Sequence, residues 1–230
     1  MKKNVIFLLV LIVLLLSWGY QQAAQQDVNE RLIADAYYGD LVSVKNDVEE
    51  GAQLSFTFFF QDEERQYHDV TFNALHAAAS SGNEDIINFL LDQGMDINAQ
   101  TDMGWTPLFI AARDGRAEAA KLLVYRQADV NASSVTGATA LTMVLTQKFP
   151  SETDRNDLLL YILKRGANPN LADNYNLSPL YYAATAGHPQ AASLLLEHGA
   201  DKQHPSVKKA LAYIEKRTEP AYKKMVRLLK

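Results

Sequence analysis

The sequence predicts an all-α repeat solenoid, and three observations in one register predict it. Four segments share a pattern: Asn73-Ala-Leu-His-Ala-Ala-Ala79, Thr106-Pro-Leu-Phe-Ile-Ala-Ala112, Thr139-Ala-Leu-Thr-Met-Val-Leu145 and Ser178-Pro-Leu-Tyr-Tyr-Ala-Ala184. Their leucines, Leu75, Leu108, Leu141 and Leu180, stand 33, 33 and 39 residues apart. A second series keeps the step, with Leu90-Leu-Asp-Gln-Gly94, Leu123-Val-Tyr-Arg-Gln127, Ile162-Leu-Lys-Arg-Gly166 and Leu195-Leu-Glu-His-Gly199. A third follows with Asn98, Asn131 and Asn170. A fixed period of this size means stacked units that bury a continuous core between them.

Each unit reads as two helices. Thr-Pro opens the first, with threonine capping free backbone N–H groups and proline at the first helical position. Ala-Ala lets a neighbouring helix approach closely. Gly82, Gly115 and Gly187 end the first helix, where a left-handed residue suits glycine. The Leu-Leu stripe of the second helix faces the core, and Gly94, Gly166 and Gly199 end it.

These motifs resemble the ankyrin repeat family, closely over residues 70–203 and with decay to both sides. The resemblance implies stacked helix pairs joined by β-turn fingers that project towards the next repeat. Residues 29–230 then form one repeat domain of about six units: 29–69, 70–100, 101–133, 134–171, 172–203 and 204–230. The first is a degenerate cap, with helices near Glu30–Gly39 and Leu41–Glu50. The last is a cap in which Val207, Ala210, Leu211 and Ile214, then Met225, Val226 and Leu229, keep helical spacing about Pro220.

Two insertions break the period. Six extra residues fall around 148–154, as a longer connection between the two helices of the fourth unit. The other lies in the first finger: 22 positions separate Gly51 from Asn73, against 12 from Gly94 to Thr106. Phe56, Phe58 and Phe60 alternate there with Ser55, Thr57 and Phe59, and 61–66 is a polar turn, which predicts an elongated hairpin. Its returning strand turns His68, Val70 and Phe72 towards the next finger, while Phe56, Phe58, Phe60 and Tyr67 form the other face. That face either stays open to a partner or folds onto Tyr37 and Tyr38.

Residues 1–19 read as a signal peptide or an N-terminal anchor, and 20–28 as a linker. Lys2-Lys3 precede the apolar run from Val5 to Leu16, whose 12 residues make a helix of about 18 Å, short for a hydrocarbon core of about 30 Å. Ser17 and Gly19 suit a cut after Gly19; retained, Trp18 and Tyr20 extend the segment to the interface. The expectation is export, to a bacterial periplasm, as a soluble protein or one anchored to the inner membrane. In a eukaryotic source Asn131-Ala-Ser133 and Asn176-Leu-Ser178 would be glycosylation acceptors.

With 48% hydrophobic residues a packed core is within reach, and the absence of cysteine removes disulfides, thiol nucleophiles and acylated lipoproteins. His68, His76, His188, His198 and His204 form no zinc-type pair on a helix. No phosphate loop or nucleophile elbow occurs. Asp62-Glu63-Glu64 reads as a solvated turn. His76 stands where the family uses histidine to tie the turn together, and His188 begins a second helix as a surface or capping residue. No enzyme activity, cofactor or metal is expected.

The resemblance implies a protein partner on the concave face. Its contact positions carry over to Met103, Trp105, Tyr175 and Leu177 in the fingers, and to Ile110, Arg113, Met143, Gln147, Tyr182 and Thr185 on first helices. Alternatively, Trp105 and Tyr175 pack against neighbouring fingers. Residues 20–200 carry 11 Lys/Arg against 24 Asp/Glu, whereas 201–230 carry 9 against 3. The acidic body argues against nucleic acid. The basic tail suits anionic lipid, an acidic partner or a solvated cap. The leading expectation is a monomeric, exported, non-catalytic protein that binds one partner through its concave face and hairpin, as an inhibitor or an immunity protein against a secreted toxin. The alternative is a membrane-anchored structural or adaptor protein of the cell envelope, for example in stress defence.

Overall fold

A computed structural model of the chain describes residues 21–59 and 70–230. The expected leader at 1–19, the hairpin tip at 61–66, and Phe60, Tyr67 and His68 lie outside the described residues.

Helix α1 covers 21–38 and α2 Leu41–Glu49. After the paired strands β1 (Phe58–Phe59) and β2 (Thr71–Phe72) come α3 (Ala74–Ser81) and α4 (Glu84–Asp92). The third unit has α5 (Pro107–Arg113) and α6 (Ala117–Tyr125), and the fourth α7 (Ala140–Thr146) and α8 (Glu152–Lys164). The last two have α9 (Pro179–Ala186) with α10 (Pro189–Glu197), and α11 (Pro205–Ile214) with α12 (Pro220–Leu229). From α3 onward first helices pack on first helices, and from α2 onward second helices pack on second helices. The result is a two-layered solenoid of antiparallel helix pairs.

Local chemistry explains the repetition. Asn73, Thr106, Thr139 and Ser178 each accept a backbone N–H from three residues on, so every inner first helix starts with the same cap. Leu75, Leu108, Leu141 and Leu180 are at most 1% exposed, as are Leu90, Leu123, Ile162 and Leu195 from the second helices. Burying each such side chain contributes about 1.5–3 kcal/mol. Between these layers small residues such as Ala78, Ala79, Ala111 and Ala183 are fully enclosed and set the close helix spacing.

The asparagine series stitches unit to unit. The Asn98 side-chain oxygen accepts the Asp129 N–H at 2.9 Å, that of Asn131 accepts the Asn168 N–H at 2.8 Å, and that of Asn170 accepts the Asp201 N–H at 2.6 Å. Asn131 and Asn170 also donate to the carbonyls of Gly166 and Gly199.

Two segments differ from the sequence expectation. Residues 21–28 belong to helix α1, not to a linker. Their glutamines and alanines are good helix formers. Gln25 ties them down by donating to the Gly51 carbonyl at 2.8 Å, and Val28 packs on the core. In the fourth unit the insertion is shared: part loops at 147–151, and part adds a turn to the start of α8. Arg155 holds it, at 6% exposure, by donating to the carbonyls of Val144 and Gln147 and stacking over Phe149. Its remaining charge is met by Glu152. Among the described residues, no helix is long and apolar enough to cross a membrane.

Candidate functional site

Three successive fingers form a continuous row. Thr101–Trp105, Ser134–Ala138 and Asp173–Leu177 each close with a hydrogen bond from the first residue's N–H to the last residue's carbonyl, at 3.0, 2.8 and 3.1 Å. The row is then zipped sideways: Val135 N–H donates to the Met103 carbonyl at 3.1 Å, and Asn174 N–H to the Thr136 carbonyl at 3.0 Å. Gly137 sits at φ +79° under this contact. A Cβ there would lie 2.7 Å from the Asn174 side-chain oxygen and 2.8 Å from its backbone nitrogen. Rigid fingers present their side chains with little entropy left to lose on binding.

Of the finger residues singled out by sequence, Tyr175 is 72% exposed and Leu177 half-buried. Met103 and Trp105 are also half-buried against the core. Trp105 stacks on Phe109 with centroids 5.7 Å apart and lies 4.8 Å beneath the Arg113 guanidinium. Its ring therefore works inside the repeat, while Tyr175 stands clear.

The helix positions divide. Met143, Gln147, Tyr182 and Thr185 keep partial exposure along the first-helix row. Ile110 does not: it is fully buried on α5, which packs between α3 and α7, and it belongs to the core. Arg113 is likewise enclosed at 8% exposure, paired with Asp114 at 2.9 Å and laid over Trp105 and Phe72. Both were expected at the binding surface, and both are spent on packing. Tyr182 donates its hydroxyl to Asp173, and burial followed by that carboxylate raises its phenol pKa, so the hydroxyl stays protonated. Thr185 donates to the Tyr181 carbonyl, and its own carbonyl accepts from Tyr222.

In the first finger Phe58 pairs with Phe72 and Phe59 with Thr71, antiparallel. Directly opposed residues share a face, so Phe58 and Phe72 lie on the same side. The division that set Phe56 and Phe58 apart from Phe72 and Val70 is thereby corrected for Phe72. Phe56 stacks on Phe58, is half-buried and packs on the core; Phe58 remains 37% exposed at the edge, and Phe72 is buried. Tyr38 stays 81% exposed. The first finger joins the row through the Thr71 N–H, which donates to the Asp102 carboxylate at 3.3 Å.

His76 locks the base of the second finger. Its Nδ1 accepts the Asn73 N–H, which leaves the proton on Nε2, shared between the carbonyls of Ala99 at 3.0 Å and Trp105 at 3.1 Å. Burial lowers its pKa to about 4 against an ordinary 6.5. His188 occupies the cap position of α10, but its ring turns to Glu152 at 3.1 Å; burial and the nearby Arg155 lower its pKa. Among the described residues, no His/Cys/Asp/Glu group is placed to hold a metal ion.

Sequence reasoning missed Val135, 56% exposed at a finger tip. It aligns with polar Asp102 and Asn174, so the repeat register itself carried the signal that its apolar side chain stands out.

The family model for ankyrin repeats in three copies matches residues 36–134 and 135–229 of the chain. The chain belongs to the ankyrin repeat family. Among curated relatives, the ankyrin repeat, SAM and basic leucine zipper domain-containing protein 1 of Dasypus novemcinctus is 33% identical over 124 residues, 54% of this chain and 26% of that protein. The same protein of Ornithorhynchus anatinus gives the same identity and coverage. Neurogenic locus notch homolog protein 1 of Xenopus laevis is 29% identical over 197 residues, 80% of this chain and 8% of that protein. The chain thus spans about a quarter or less of the length of these relatives. Ankyrin repeat proteins are generally non-catalytic scaffolds that mediate protein–protein binding.

Proposed function

We propose that this ankyrin repeat protein is exported and binds a single protein partner through its finger row and the exposed part of its first-helix row, as an inhibitor of that partner. The observation that carries the reading is Tyr175, 72% exposed on a finger whose backbone is hydrogen-bonded into the row. Tyrosine on a rigid mount is a frequent interface anchor, because few torsions must be frozen on contact. Val135 and Leu177 supply apolar area beside it, and Met143, Gln147 and Tyr182 continue the surface. Export is supported by the Lys2-Lys3 pair ahead of the apolar run from Val5 to Leu16. Within this reading the partner is a secreted toxin and the protein its immunity protein, by analogy with exported members of the family.

The test is affinity capture from a periplasmic extract with three proteins. Wild type and Tyr125→Ala, altered at an exposed tyrosine on α6, are expected to retain the same partner. Tyr175→Ala with Leu177→Ala is expected to lose it. Equal capture by all three would refute the finger-row reading. Mass spectrometry of the mature protein tests location: a first residue near Tyr20 supports release, and an intact Met1 supports an anchor.

A further inference from the structure

Lys223 and Arg227 stand one helical turn apart on α12, and among the described residues neither has an acidic partner. With Lys230, Arg217, Glu215 and Val226 they line a shallow, open depression of about 480 Å³ in the C-terminal cap, and its charged members are all exposed. Lys230 is paired with Glu215 at 2.9 Å, and Arg217 reaches Glu219 at 3.5 Å. The Arg217 guanidinium is also held between two rings, 5.0 Å from Tyr213 and 5.3 Å from Tyr222.

Local helix physics does not ask for this arrangement. Like charges at i and i+4 destabilise a helix. The C-terminal dipole favours Arg227 and Lys230, but Lys223 lies in the N-terminal half, where a cation is disfavoured. A merely solvated face would mix signs, whereas α12 carries no acidic residue along its length. Four cations around one shallow depression, one of them a guanidinium fixed by stacking, form a site for anionic groups.

We propose that this depression docks a carboxylate-rich peptide segment of a protein partner. A lipid surface would meet the exposed Lys208, Lys209 and Lys224 as readily as this depression. Glu215 on the rim disfavours a dense anionic plane, and Val226 gives an aliphatic residue of the peptide a place to rest. Arg217 supplies the planar fork that carboxylates accept in pairs.

The experiment is fluorescence polarisation with the full chain and a labelled poly-glutamate peptide, beside sedimentation with phosphatidylglycerol vesicles. Saturable peptide binding that weakens with salt is expected, with a loss of about tenfold or more for Lys223→Glu with Arg227→Glu. Lys208→Glu with Lys209→Glu, which alters cations outside the depression, is expected to stay within about twofold. The neutral pair Lys223→Gln with Arg227→Gln, with an unchanged melting curve, is expected to show an intermediate loss and separates docking from unfolding. Equal losses for both charge-reversed pairs, absence of peptide binding, or binding to vesicles alone would each overturn the proposal. Tyr175→Ala is expected to leave peptide affinity unchanged, so the outcome is independent of the finger-row reading.

Discussion

The Asn131 side-chain oxygen accepts the Asn168 backbone N–H at 2.8 Å, across 37 residues of chain, while its amide donates to the Gly166 carbonyl at 3.0 Å. One amide thus satisfies two backbone groups of the following unit. Asn131→Ala removes both bonds and is expected to cost about 1–2 kcal/mol. Urea denaturation followed by circular dichroism reads that loss as a lower midpoint. In a solenoid, weakening one interface also weakens coupling between its two sides, so hydrogen exchange is expected to rise most in α8 and its neighbours.

His76 makes stability depend on pH with a defined sign. Its folded pKa of about 4 lies below the ordinary 6.5, so between those values the unfolded chain binds the extra proton. The contribution is complete above about pH 6.5 and is lost as pH falls towards 4, by up to about 3 kcal/mol. His188 is shifted in the same direction. In a His188→Gln background, His76→Asn is expected to flatten the dependence of the denaturation midpoint between pH 6.5 and 4. An unchanged slope would contradict the assignment.

Gly137 and Gly94 separate backbone strain from steric conflict. Both have positive φ, at +79° and +88°, but a Cβ on Gly94 meets nothing within 4 Å. Gly94→Ala is expected to cost about 1 kcal/mol, the left-handed penalty alone. Gly137→Ala adds a clash with the Asn174 backbone and is expected to cost about 1–3 kcal/mol more. Thermal melts of the two variants give the comparison directly.

Gln127 stands where four other second helices end in glycine, at Gly51, Gly94, Gly166 and Gly199, and it takes φ +72° in their place. Gln127→Gly is expected to stabilise by about 0.5–1 kcal/mol, since glycine adopts this conformation without Cβ strain. The side chain forfeits only a 3.2 Å exposed bond to the Tyr125 carbonyl. A melting temperature that falls would show that this bond outweighs the strain.

The repeat was legible because each of its parts is local chemistry. Thr106 and Ser178 cap helices by themselves and Leu108 and Leu180 repeat on a helical face, whereas the role of His76 came from the family resemblance, its partners Ala99 and Trp105 lying 23 and 29 residues away. The surface was less legible. Arg113 and Ile110 occupy positions whose exposure depends on what packs beside α5, and no residue near them in sequence reports that. Residues 21–28 read as a linker because the glutamines are polar; the carbonyl of Gly51 that secures Gln25 is 26 positions away. The shared face of Phe58 and Phe72 turned on strand register, and a one-residue choice there moves every side chain to the other side.

By itself, then, the sequence determined the helix pairs, their order, the caps and the period of the asparagines, since propensity, capping and spacing are local; the bonds those asparagines make 31 to 37 residues away belong to the assembled solenoid. Tertiary structure alone decided which candidate contact residues remain outside: it enclosed Ile110 and Arg113, left Tyr175 and Val135 clear, and set Arg217 beside Lys223, Arg227 and Lys230, which helical spacing already lines up. Exposure is a property of the assembled layers, because a side chain leaves water only when another unit arrives to cover it.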